Sequence, residues 1–211
     1  MVKQMSGCWS WKKKECQLQR ISGGVLIKKN AANVDLISGM MFFCILILTI
    51  FFGFRITQYM VTSAIAEDAL AASNLASAVI DVEEYGRTHR LWIADGKRAF
   101  EIYKDALQSN MKLDTQLYSS NNDLILGQVQ IKEYIVYNVN GQDIEIEVYD
   151  GNGTLTFAGM GREGDVFTPD GICVENTTIY SKIGFEVVGL AGQSFAGEKE
   201  KSIDIARWNS E

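Results

Sequence analysis

Residues Leu36–Phe54 read LISGMMFFCILILTIFFGF, nineteen positions without a charge or a proline, closed by Asp35 on one side and Arg55 on the other. Coiled as an α-helix, the stretch rises roughly 28 Å, about the thickness of a bilayer's hydrocarbon core. A water-soluble core helix rarely needs so long an unbroken run, so the segment predicts a membrane span. A cleaved secretory signal has a shorter apolar region that ends at a small-residue site. Here the run passes directly into Arg55-Ile56-Thr57-Gln58-Tyr59, which predicts a retained anchor.

Charge is divided sharply around that segment. Residues 1–29 hold Lys3, Lys12, Lys13, Lys14, Arg20, Lys28 and Lys29 against only Glu15, whereas the chain beyond Arg55 holds 24 acidic and 12 basic residues. Lysine and arginine near a span stay on the cytoplasmic side. The expected topology is a single pass through the cell membrane, N-terminus cytoplasmic and the acidic C-terminal domain extracytoplasmic. An acidic domain of this kind excludes nucleic acid as a partner, because phosphate binding wants a basic face. Of the four cysteines, Cys8 and Cys16 would face the reducing cytoplasm, Cys44 the lipid, and only Cys173 the exterior. No disulfide is expected within the exported domain, which must be held by packing.

Three segments follow: 1–30, a basic cytoplasmic leader, disordered or lying on inner headgroups; 31–85, the transmembrane and extended helix with its span at 36–54; and 86–211, an exported α+β domain. Past the span, Val61–Ile80 reads VTSAIAEDALAASNLASAVI, with seven alanines and no glycine or proline, a strongly helix-favouring composition. The helix is expected from about Ala32 to Tyr85, with Gly86 as its stop. Ile65, Ala69, Ala72, Ala76 and Val79 form a seam of small apolar residues at steps of four and three. That seam would pack either on the protein's own sheet or on other subunits. A second helix is expected from Asp95, as N-cap, to about Asn110.

The period then changes to two. Asn140-Gly141 signals a tight hairpin, placing Tyr137 opposite Ile144 and Ile135 opposite Ile146. Ile144, Ile146 and Val148 would face the core, and Asp143, Glu145 and Glu147 the water. Further strands are expected at about Thr154–Phe157, Thr177–Val188 and Ser202–Ala206, with a Gly-rich loop over 159–171. The fold class is α+β: a transmembrane helix continuing into a long Ala-rich helix, a second short helix, and an antiparallel sheet of about four or five strands.

The residues offer no nucleophile–base pair. His89 stands alone among arginines, and Glu83 and Glu84 point apart on a helix. Gly159-Met160-Gly161-Arg162-Glu163-Gly164 matches G-x-G-x-x-G, but that motif must open a helix in a parallel βαβ unit. Asp150-Gly151-Asn152-Gly153-Thr154 imitates a calcium loop yet has Gly161 where the bidentate glutamate belongs; a weak site through Asp150, Asn152 and Asp165 is the residual option. The expectation is therefore no enzyme, no cofactor and no metal.

Directly before the span the chain reads Lys28-Lys29-Asn30-Ala31-Ala32-Asn33-Val34-Asp35-Leu36. With the apolar run and the Ala-rich helix behind it, this resembles the start of TadE-like minor pilins (pseudopilins) of bacterial tight-adherence pilus systems. The resemblance covers about residues 28–85. It implies cleavage by a prepilin peptidase between Asn30 and Ala31, a pilin-like fold, and partners among other pilin-like subunits and the pilus assembly machinery. It makes Asp35 the acidic residue of the helix start, placed to meet a neighbouring subunit's free amine. Asn30, Asp35 and Leu36 stand where Gly or Ala, Glu and an aromatic are usual. The functional expectation is a membrane-anchored, pilin-like component of a pilus assembly or secretion system, working by helix packing in the lipid bilayer. The alternative is a single-pass surface or sensory protein whose exported domain binds a ligand.

Overall fold

The computed structural model describes residues 7–119, 125–188 and 193–205, with side chains from Val34 onward. Helix α1 runs Gly7–Ser77, α2 Val82–Thr88 and α3 Gly96–Met111. The strands are β1 Ile125–Asn140, β2 Asp143–Tyr149, β3 Leu155–Arg162, β4 Thr178–Val188 and β5 Ser194–Asp204. Residues up to Phe54 and residues from Arg55 onward form two separate compact units.

In the first unit the chain is helical from Gly7, so the leader expected as disordered or surface-lying is drawn into α1. The chain's one proline is Pro169, and nothing in this region removes a helical hydrogen bond. Among the described residues, one helix is long and apolar enough to cross a membrane, the Val34–Ser77 part of α1. None of its most apolar window is covered by protein. Within it Thr49 Oγ1 donates to Ile45 O at 2.8 Å, so that hydroxyl is satisfied internally, as a non-aqueous surrounding requires.

In the second unit, helix α1 ends at Ser77 instead of reaching Tyr85. Residues 78–81 run without helix, and Asp81 N donates to Trp92 O at 2.8 Å. The Asp81 carboxylate then accepts from Glu83 N and Glu84 N and starts α2 as an N-cap. Gly86 lies inside α2, and the left-handed C-cap (φ 57°) is His89, whose N–H donates to Tyr85 O. The start of α3 is as its sequence foretells, with Asp95 Oδ1 accepting from Arg98 N at 2.9 Å.

The five strands form one antiparallel sheet in the order β3-β2-β1-β4-β5. The β1–β2 hairpin turns on Gly141-Gln142, so Tyr137 pairs with Ile146 and Ile135 with Val148. Gly141, at φ +65°, holds the first central position, the pattern of a type II′ turn. The observed register is thus two residues from the expected one, a slip that preserves which side chains share a face.

What each face meets does differ from expectation. The main core lies between the sheet and helices α1 and α3. It holds Ala66, Leu70, Phe100, Tyr103 and Leu107 against Val129, Tyr134, Val136, Tyr149, Ile179 and Ile183. Half-buried Glu145 and Glu147 stand on that helix-covered side, across from Asn138 and Val136. Ile144 faces a second, smaller core with Ile135, Tyr137, Tyr180, Val166 and Val174, against which Ile146 and Val148 are packed. Val166 and Val174 come from the β3–β4 connection. The alternation rule assumes one wet face, whereas this sheet is covered on both.

Strand β3 also outruns its expected end at Phe157, continuing through residues assigned to a Gly-rich loop. Its glycines fit because neighbours occupy their missing side-chain space. A Cβ on Gly159 would lie 2.5 Å from the Phe157 ring, and one on Gly161 would strike Val166. Strand β5 likewise begins at Ser194, well before the expected Ser202; Ala206 lies outside the described residues.

Candidate functional site

Asn30 and Ala31 are helical residues of α1, and their side chains lie outside the described set. Asp35 is exposed and sits well inside α1, whose first residue is Gly7. In the uncut chain it therefore lies far from the helix's positive end, and only in a chain that starts at Ala31 would it stand in the first turn, where the macrodipole favours a carboxylate. The apolar side chains that follow are open on all sides: Phe42, Phe43, Leu48, Ile50 and Phe54 are each more than half exposed. A surface of that kind fits lipid or another apolar helix.

In the second unit, the last turns of α1 are fixed to the sheet by a polar stripe that a search for apolar periodicity passes over. Thr62, Ala66, Ala69, Leu70, Ser73, Asn74 and Ser77 are the buried positions. Asn74 Nδ2 donates to Lys201 O at 2.8 Å, and Ser181 Oγ donates to Asn74 Oδ1 at 2.7 Å. Tyr134 OH donates to Ser77 Oγ at 3.0 Å, and Asn110 Nδ2 to Ser73 Oγ at 3.2 Å. The Tyr103 hydroxyl faces Ser181 without a hydrogen bond of ordinary geometry. Burial pushes the Tyr103 and Tyr134 phenols well above the ordinary tyrosine range. At the stripe's rim, Lys201 Nζ lies 2.8 Å and Lys199 Nζ 3.9 Å from Glu67. The Lys201 hydrogen bond, reinforced by both ammonium charges, holds the Glu67 carboxyl below its usual range.

This docking decides the fate of the expected small-residue seam. Of its five members only Ala69 is buried against the sheet; Ile65, Ala72, Ala76 and Val79 face outward, with Leu75 beside them. The seam does not pack on the protein's own sheet, because the stripe beside it does.

The residues weighed for chemistry are scattered. His89 caps α2 and meets the Tyr85 ring edge-on at 5.9 Å. Glu84 is engaged by Arg87 and by Thr88 Oγ1 at 3.0 Å, while Glu83 is exposed. The G-x-G-x-x-G residues lie on β3 and the turn after it, with no helix for a pyrophosphate to cap. Asp150 Oδ1 accepts from Asn152 N at 2.9 Å and Thr154 N at 2.8 Å. Those amides, Thr154's foremost, hold its carboxyl below the ordinary range. Among the described residues no group of three or more His, Cys, Asp or Glu is placed to hold a metal ion.

One groove of about 280 Å³ opens on the sheet face away from the helices, beyond the reach of the β3–β4 connection. Tyr118, Gln128, Lys132, Gly184, Glu186 and Ala196 are among the residues that line it, and the Lys132 side chain lies close over Gly184. Comparison with family models, with characterised proteins and with solved structures finds no match to this chain.

Proposed function

We propose that this protein is a membrane-anchored, pilin-like subunit of a bacterial pilus assembly or secretion system. It acts by packing its long helix against other subunits, and it catalyses nothing. The observation that carries the reading is the state of α1. Its apolar segment is open on every side, and further along the same helix one face is bolted to the sheet while the adjacent small-residue seam stays free. A plain anchor has no need for a second, unoccupied helical surface outside the hydrocarbon. Small side chains there let another helix approach closely, and the acidic Asp35 at the membrane boundary seeks a cation such as the new amine of a chain cut before Ala31. The TadE-like residues from Lys28 to Leu36 add the processing step to the same reading.

Intact-mass measurement of the chain extracted from membranes tests it. A mature N-terminus at Ala31 is expected, and an intact Met1 leader would remove the pilin reading. Replacing Asp35 by alanine should impair co-assembly with partner subunits while leaving membrane insertion unchanged.

The groove beside Lys132 is the observation that favours the second reading, a single-pass surface protein that captures a small polar ligand. Under that reading the leader stays on, and Asp35→Ala has no effect.

A further inference from the structure

The two edges of the sheet are built differently. β5 ends the sheet with Glu198, Lys199, Glu200 and Lys201, and these charges are engaged by Lys182 and Glu67. Charged edge strands of this kind resist pairing with other chains. β3, at the opposite edge, has no charge from Leu155 to Gly161 and no proline. Leu155, Phe157 and Met160 are large, apolar and exposed, Met160 at 69%. Nothing in the described chain covers this edge.

Its hydrogen-bonding groups are also unspent. Glu163 N donates to Gln142 O, and with Asp143 opposite Arg162 the antiparallel alternation turns residues 157, 159 and 161 toward β2. The N–H and C=O groups of Ala158 and Met160 are left on the open side. Among the described residues no backbone hydrogen bond reaches them.

We propose that β3 is a self-association edge, pairing antiparallel with β3 of a second copy about a two-fold axis at Gly159. That register sets Ala158 opposite Met160 of the second copy, and Met160 opposite its Ala158, so the four free groups on each strand close a ladder. It sets Phe157 against Gly161 of the second copy, a large ring across from a residue without a side chain. Arg162 falls opposite Thr156, so no like charges meet. A parallel arrangement would instead set Arg162 beside its own copy. The arrangement is isologous, one patch meeting itself, and closes at two copies. Anchoring by α1 confines the copies to one surface and raises their effective concentration. The proposal is independent of cleavage before Ala31 and applies to any anchored form of the chain.

The test uses the full chain in its membrane, with Cys8, Cys16, Cys44 and Cys173 replaced by serine. Two differently tagged copies are expressed together, one carrying Ala158→Cys and the other Met160→Cys, and oxidised mildly. A disulfide joining the two tags is expected, well above that from Ala196→Cys with Glu198→Cys on β5. Met160→Pro, in a chain with a cysteine pair placed at the exposed Thr156 and Arg162 instead, removes an outward N–H from each copy without touching the β2 ladder. Linked product should fall roughly tenfold or more, since symmetry deletes two bonds at once. Met160→Lys, at an exposed position that cannot unfold the domain, should have the same effect. Absence of a β3-linked homodimer, equal linkage through β5, indifference to both edge variants, or reporters found only on a different protein would each overturn the proposal.

Discussion

Asn74 shows how one side chain fixes the helix to the sheet. It is fully buried, and its amide is used at both ends, donating to Lys201 O and accepting from Ser181 Oγ. Asn74→Ala removes both bonds and strands the buried Ser181 hydroxyl and the half-buried Lys201 carbonyl, a loss of about 2–4 kcal/mol. Urea unfolding of the detergent-solubilised chain, followed by tryptophan fluorescence, should show the midpoint falling by that loss divided by the slope, with the slope itself unchanged. Asn74→Asp should be no rescue, because a carboxylate can still accept from Ser181 but has nothing to give the Lys201 carbonyl. The sequence offered little notice of this residue. In Val61–Ile80 two stripes have helical spacing, one apolar and one carrying Thr62, Ser73, Asn74 and Ser77, and apolar periodicity selects the first. The second is inside because its partners lie 57, 107 and 127 residues away along the chain, and no local pattern encodes those. Asp95 was legible for the opposite reason: its partner is three residues on.

At the scale of elements the same division holds. The apolar segment is legible because its length and composition are local properties, and so are the α+β order and the positions of the strands. Registers and ends were less so. The Asn140-Gly141 pair announces a hairpin but not which two residues occupy the turn, and Gly141 serves as the first of them. Gly159 and Gly161 read as loop because their strand role depends on Phe157 and on Val166, the latter beyond the strand itself. Asp81 breaks the long helix through a cap that competes with an otherwise favourable helical run. A test belonging to this scale is Ile45→Arg, at the middle of Leu36–Phe54. An arginine at the centre of a spanning helix raises its insertion free energy by about 2.5–3.5 kcal/mol. The substituted chain should move from the carbonate-resistant membrane pellet into the soluble or degraded fraction. The same substitution at Val82, exposed on α2, should leave it in the pellet. If both variants pellet alike, the segment is not what holds the protein in the membrane.

For the whole unit from Arg55 onward, the arrangement of charges and phenols fixes how stability varies with pH. Glu67 and Glu198 are held below their usual range, each first by a lysine hydrogen bond, Lys201 and Lys182 respectively. A depressed carboxyl contributes stability above its unfolded value and loses it as pH falls through the folded one, so these pairs set an acid limb. Lys182 and Lys201 are raised by the same contacts, and their contribution is present at neutral pH and lost as pH rises through the folded values. The tyrosines add to that second limb. Burial first, then the hydroxyl's carboxylate partner, raises Tyr149 beside Glu147 and Tyr180 beside Glu200. Burial likewise raises Tyr103 and Tyr134, and pushes Tyr137 up to about 12. Unfolding releases all five phenols to titrate near pH ~10. The carboxylate–lysine pairs are solvated and contribute little each, whereas the phenols are buried, so the alkaline limb should be the steeper. Thermal unfolding of the full chain across pH ~3 to ~11 should give a plateau around neutrality, a shallow acid decline that salt weakens further, and a sharp fall above pH ~10. Tyr180→Phe should soften the alkaline fall, and Glu67→Gln should remove part of the acid one. A steep acid limb with a flat alkaline one would mean that surface ion pairs, and not the aromatic interior, govern the unit's response to pH.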